Sequence, residues 1–174
     1  MSGGGKEGKV GKQRELTAGE TALARAAFGD RIDYRRVKLS DGPGNHPFAH
    51  LAFARGNPAI TIGSTVYFKV GFCPDFSAPG QNRRSFIHEM THVWQYRTLG
   101  MPAFFARYGV EVAQVGGKPD DMYKYKAGTE KFAGAMLEAQ ASMVEDYSDA
   151  LWRKDAGRKA RLAKNLAGSG VYGL

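Results

Sequence analysis

The order of local sequence patterns predicts an α+β fold. A capped helical stretch comes first, four short apolar or β-branched runs broken by Gly and Pro follow, and the remaining half reads as helix. The expected sheet is therefore small, antiparallel or mixed, and precedes a helical half. No internal repeat interrupts this order.

Thr17 and Glu20 have capping-box spacing, in which each side chain satisfies a backbone amide at a helix start. Leu23, Ala26 and Ala27 then form an apolar stripe and Gly29 suits the stop, so a helix is expected over 18–28. Residues 34–39 read as a strand, and 40–48 are turn-rich. The runs 51–54, 60–62 and 66–70 read as short β-segments, with Gly63-Ser64 as a tight turn and Asn57-Pro58 as a break. Residues 82–98 contain neither Gly nor Pro and predict a long helix ending before Gly100. Pro102 opens another that runs to about residue 112. Residues 115–128 read as a loop, and 129–152 as a long helix carrying Leu137, Ala141, Val144, Ser148 and Leu151 on one side.

Composition narrows the function classes. The 174 residues carry a formal charge of +8, which suggests a nucleic-acid binder until the charge is located. Residues 1–14 contribute +3 and residues 153–164 contribute +5, while 15–152 hold 15 basic and 15 acidic side chains. The expected organisation is a flexible basic leader (1–14), a neutral body (15–152) and a basic tail (153–174). No nucleic-acid partner is expected for the neutral body, and an end-mediated binder is a rival reading. One cysteine excludes an internal disulfide framework. No apolar run approaches the length of a membrane span, so none is expected. The start has no apolar signal core, which predicts cytoplasmic synthesis without a secretory signal.

The chemistry is concentrated in residues 85–95. His88 and His92 stand four apart, so a helix turns both imidazoles to one side, where they can bind one metal ion. Glu89 is rotated by about 100° from His88, close enough to act as base on a metal-bound water without being a ligand. Zn²⁺ lowers the pKa of such a water from 15.7 to about 7. A structural pair of histidines is the bland alternative. A catalytic zinc site needs a third protein ligand and an open position. A third histidine at the extended-motif position is absent, since Gln95 and Thr98 occupy the places that pattern would use. The remaining source is a carboxylate on a later helix: Glu138, Glu111, Glu130 or Glu145.

FIHEMTHVWQY (86–96), followed by MYKY (122–125) and LEAQASMVEDY (137–147), resembles the short gluzincin-type zinc-metallopeptidase-like domain of Vgr- and Rhs-related bacterial proteins. LTAGETALARAAFGDRIDYRRV (16–37) and ITIGSTVYF (60–68) extend the resemblance over most of residues 16–152. It implies a zincin-like fold, a Zn²⁺ cofactor held by His88, His92 and Glu138, and Glu89 as catalytic base. It also implies a peptide or protein substrate, a Vgr/Rhs-type or secretion-system partner, and signal-independent export. The sequence departs from larger gluzincins in lacking their Asn-Glu-x-x-Ser-Asp signature at Glu138, which Leu137 precedes.

An acyl-transfer site also needs a donor for the developing oxyanion. Candidates are Tyr123, Tyr125, Tyr147, His46 and His50, of which we assign Tyr125 as a catalytic residue. Asp146 is the candidate to orient a ligand imidazole, and the strand around 60–70 a candidate edge for an extended peptide. Cys73, fifteen residues before His88, is a candidate metal cap. The rival readings are a non-catalytic zinc-containing assembly module and a peptidoglycan amidase.

Overall fold

The computed structural model describes residues 12–174. Its sheet has four short strands in the order β1-β2-β4-β3, and it is mixed. β1 (Lys12–Glu15) and β2 (Lys38–Asp41) are antiparallel, β4 (Thr65–Phe68) runs parallel to β2, and β3 (Ala59–Ile62) closes the far edge antiparallel to β4. Gly63, at φ +62°, makes the tight turn between β3 and β4 in a conformation that an L side chain resists. The fold class expected from the sequence is therefore observed as α+β.

Helix α1 (Ala18–Phe28) starts at the expected capping box, with Thr17 accepting from the Glu20 amide and Glu20 accepting from the Thr17 amide. Glu20 is completely buried and does more than cap. Its carboxylate also accepts from both guanidinium nitrogens of Arg14, at 2.7 and 2.8 Å, and from the Phe76 amide at 2.8 Å. A buried carboxylate needs this density of partners. The arrangement ties β1, α1 and the loop before the next long helix together.

Three expectations need correction here. The run 51–54 is not a β-segment but the end of helix α2 (Pro47–Ala54), started by Pro47 with its preset φ. Residues 34–36 form a 3₁₀ turn, and β2 begins only at Lys38. The helix expected over 129–152 begins at α5 (Leu137–Trp152), because 132–134 is a separate 3₁₀ turn and Met136 is extended. Glu111 reaches over from helix α4 (Met101–Gln114) to accept from the Leu137 amide at 2.8 Å, supplying the cap that Met136 lacks. Glu138 therefore sits in the first turn of α5.

Helix α3 (Arg83–Leu99) follows its expected limits, capped by Asn82 and stopped at Gly100. It packs directly on α5 and is buried along most of its length. The main core gathers Leu39, Val66, Phe68, Phe76, Phe86, Ile87 and Met90 from the sheet, the loop and α3, with Met143 and Val144 from α5.

The basic ends are also corrected. Residues 1–11 of the expected leader lie outside the described residues, and 12–14 belong to β1. Residues 153–174 are not a detached tail: helix α6 (Ala156–Leu166) packs on α5, and Leu162, Leu166 and Val171 enter the main core. Arg153 and Arg158 pair with Asp149, and Arg158 also with Asp146. Part of the +5 cluster is therefore neutralised inside the protein. Among the described residues, no helix is long and apolar enough to cross a membrane.

Leu166→Ala should destabilise the protein by about 2–5 kcal/mol, as for a cavity in a packed core. Denaturant unfolding measures it, and a loss within about 0.5 kcal/mol would mean a detached tail after all.

Candidate metal centre

Helix α3 presents His88 and His92 one turn apart, with ring centroids 5.0 Å from each other. α5 brings Glu138 against them. Its Oε2 lies 3.1 Å from Nε2 of His88 and 3.1 Å from Nε2 of His92. All three residues are buried, and their ligand atoms lie within 4.8 Å of one another.

The other ring nitrogens are held from behind. Glu145 Oε2 lies 3.0 Å from Nδ1 of His88, and a carboxylate there accepts, so Nδ1 carries the proton. Gln95 Oε1 lies 2.8 Å from Nδ1 of His92. The Gln95 amide nitrogen donates to the Leu137 carbonyl at 3.0 Å and to Gln140 Oε1 at 2.9 Å. Because a carbonyl only accepts, the Leu137 bond fixes which end of the Gln95 amide is nitrogen. The oxygen therefore faces His92, and Nδ1 of His92 is the donor. A neutral imidazole with Nδ1 protonated directs its Nε2 lone pair at the point shared with Glu138, as a metal requires; in the metal-free cluster the Nε2 positions donate to Glu138 instead. Two imidazole nitrogens and one carboxylate oxygen with supported orientations form a donor set that fits Zn²⁺. The His88–His92–Glu138 group could bind a metal ion.

The electrostatics of the metal-free cluster are tightly balanced. Burial disfavours a charged His88, but hydrogen bonds to Glu138 and Glu145 outweigh it and raise the imidazole to about 10. Burial likewise opposes charge on His92, and Glu138 raises it. Burial opposes ionisation of Glu138, yet the charge of His92 and hydrogen bonds from both rings hold it well below the usual carboxylate range. The site thus stores positive charge that a cation would replace.

The cluster lies in a cleft whose wall includes β3. Glu89 also faces this cleft. Its Oε2 accepts from the Thr61 hydroxyl at 2.7 Å, which leaves Oε1 without that partner. Tyr123 lines the cleft and stacks on His88 at 5.8 Å. Burial raises its phenol, and it raises that of Tyr108, which also lines the cleft, to about 12.

Several assignments change with this geometry. Tyr125 is not among the cleft-lining residues, because its hydroxyl donates to Asp146 at 2.6 Å. Tyr147 packs in the core against Tyr172. His46 starts α2, and His50 contacts the Gly44 carbonyl. Asp146 does not orient an imidazole: Glu145 does, and Asp146 binds Arg84, Arg158 and Tyr125. Of the competing acids, Glu111 caps α5 and binds Arg107, and Glu130 accepts from the Lys126 amide. Cys73 is buried in the main core, outside the metal-competent group. Gln95 and Thr61 escape notice in the sequence. Gln95 had a usable signal, since it stands three residues after His92 on the same side of α3.

His88 is raised above its ordinary value of 6.5, so its stabilisation is complete below that pH and lost as pH rises toward about 10. Thermal unfolding of chelator-treated protein should therefore show Tm falling across this window, and a flat Tm would contradict the His88–carboxylate pairing. Gln95→Leu should weaken zinc binding by about 10–100-fold in a competitive chelator titration. Unchanged affinity would remove Gln95 from the site.

No family model matches the sequence. It is 30% identical over 155 residues to the type VI secretion system spike protein VgrG2b of Pseudomonas aeruginosa, a match spanning 83% of this chain and 13% of that protein. Against the effector domain of P. aeruginosa VgrG2b, the structures agree with a TM-score of 0.64 at 29% identity, covering 95% of this chain and 87% of that one. This α+β protein, with its mixed sheet and its buried His-His-Glu group, is a homologue of the VgrG2b effector domain.

Proposed function

We propose that the protein is a zinc-dependent metallopeptidase of zincin-like fold that hydrolyses a peptide or protein amide bond. The observation that carries this reading is the meeting of His88 Nε2, His92 Nε2 and Glu138 Oε2 in a cleft that also contains Glu89. Zn²⁺, when bound, supplies a Lewis acid that polarises a substrate carbonyl and acidifies water.

The remaining roles belong to the protein. His88, His92 and Glu138 hold the metal, with Glu145 and Gln95 fixing the two rings. Glu89 is the base: Thr61 steadies its Oε2, and Oε1 takes a proton from the attacking water and returns it to the leaving amine. Tyr123 and Tyr108 remain protonated at neutral pH because burial raises both, so they can donate to the oxyanion that develops on the carbonyl. They replace Tyr125 in that role. β3 is the edge strand of the sheet and lines the cleft, so an extended substrate can lie along it.

The homology supplies the biological half of the proposal. The spike relative is named for the type VI secretion system. The protein is an effector module associated with a Vgr-type protein and exported by such a machine.

Glu89→Gln should retain one zinc per molecule yet lose hydrolysis by at least about 10²-fold, as loss of a general base does. Metal analysis and a peptide-cleavage assay on the same preparation check this, and full activity would end the mechanism. His88→Ala should lose the zinc itself, and stoichiometric retention would refute the ligand set.

A further inference from the structure

The walls of the cleft differ from its floor in a way that bears on substrate choice. Phe104 meets His92 edge-on, with centroids 6.2 Å apart. Phe105 lies 6.0 Å from Phe104, and Phe48 of α2 lies 6.2 Å from Phe105. These contacts make a continuous aromatic ladder from a metal-competent histidine to the surface. Its outer rungs come from two different helices and are left in water: Phe105 is 42% exposed and Phe48 58% exposed. Tyr96 stacks on Phe104 at 3.8 Å and stiffens the inner rung.

Among the described residues that line the cleft there is no lysine or arginine. A large apolar side group finds aromatic surface that is already assembled and exposed.

We propose that the cleft selects a bond flanked by a large apolar residue, aromatic above all, and that Phe105, which lines the cleft, forms with Phe48 packed against it the surface on which the side group lies. The proposal rests on the metallopeptidase reading and names its substrate class. The backbone of such a substrate runs along β3, and the side group beside the cleaved bond points toward α4. Recognition is through shape and burial rather than ion pairing, so a free terminus is not required.

The test uses the zinc-loaded full-length protein and internally quenched peptides with both termini blocked. The peptides differ at one position, Phe, Leu, Ala or Glu, placed in turn on each side of the cleaved bond. Phe is expected to exceed Ala in kcat/KM by about tenfold or more, the scale an apolar pocket achieves, with Glu slowest. Phe105→Ser should bring the Phe/Ala ratio toward one with zinc content and circular dichroism unchanged. Phe48→Ser, at a more exposed position, serves the same purpose if the first variant fails to fold. Equal rates for Phe and Ala, or a ratio untouched by either variant, would overturn the proposal. Cleavage of cross-linked stem peptides with the blocked aromatic peptides left intact would also overturn it. If nothing is cleaved, the metallopeptidase reading fails, and fluorescence anisotropy with Glu89→Gln then decides selectivity separately. About tenfold tighter binding of the Phe peptide supports the aromatic surface, and equal binding of Phe and Ala peptides refutes it.

Discussion

Two imidazoles from α3 and one carboxylate from α5 must share a single point inside the protein, and the rest of the structure is arranged around that requirement. Each group is costly to bury alone. Together they compensate one another, with Glu138 midway between the two Nε2 atoms. The compensation works only if the two helices keep their relative position, and polar ties across the interface hold it. Gln95 links His92 to the first turn of α5, Arg84 links α3 to Glu145 and Asp146, and Glu111 caps the α5 start from α4. A small displacement of α5 would break several of these bonds together, so the site and the helix packing form one cooperative unit.

The same logic gives the C-terminal helix a place. Arg158 binds Asp146 and Asp149, the acids that also hold Arg84, and Arg84 in turn holds the carboxylate that orients His88. The series of contacts runs from α6 to the metal-competent group without a break. The segment expected as a basic tail is partly committed to this internal pairing. Its apolar residues close the core beneath it.

The cleft shows a division of labour. Its floor is polar and carries the His-His-Glu group and Glu89, while its α4 wall is aromatic and neutral. β3, an edge strand of the sheet, forms part of the remaining wall.

Local patterns were legible in the sequence where a residue's role depends on its near neighbours. The Thr17–Glu20 box, the α3 limits, the Gly63-Ser64 turn and the common side of His88 and His92 all follow from chain geometry and short-range hydrogen bonding. Periodicity alone left the third metal-competent residue open between four acids. Asp146 was the expected imidazole partner, although a seven-residue step from Glu138 to Glu145 returns to nearly the same side of a helix, within about 20°. The late start of α5 was not legible, because its cap is Glu111, 26 residues upstream. Nor were the role of Thr61 and the burial of residues 162–171, and nothing local separated Tyr123 from Tyr125. By itself the sequence determined the His88/Glu89/His92 arrangement and the α+β order. Only the tertiary structure decided which acid joins them, which tyrosines face the cleft and where the basic end packs. Those outcomes depend on contacts between residues far apart in sequence, which no local pattern encodes.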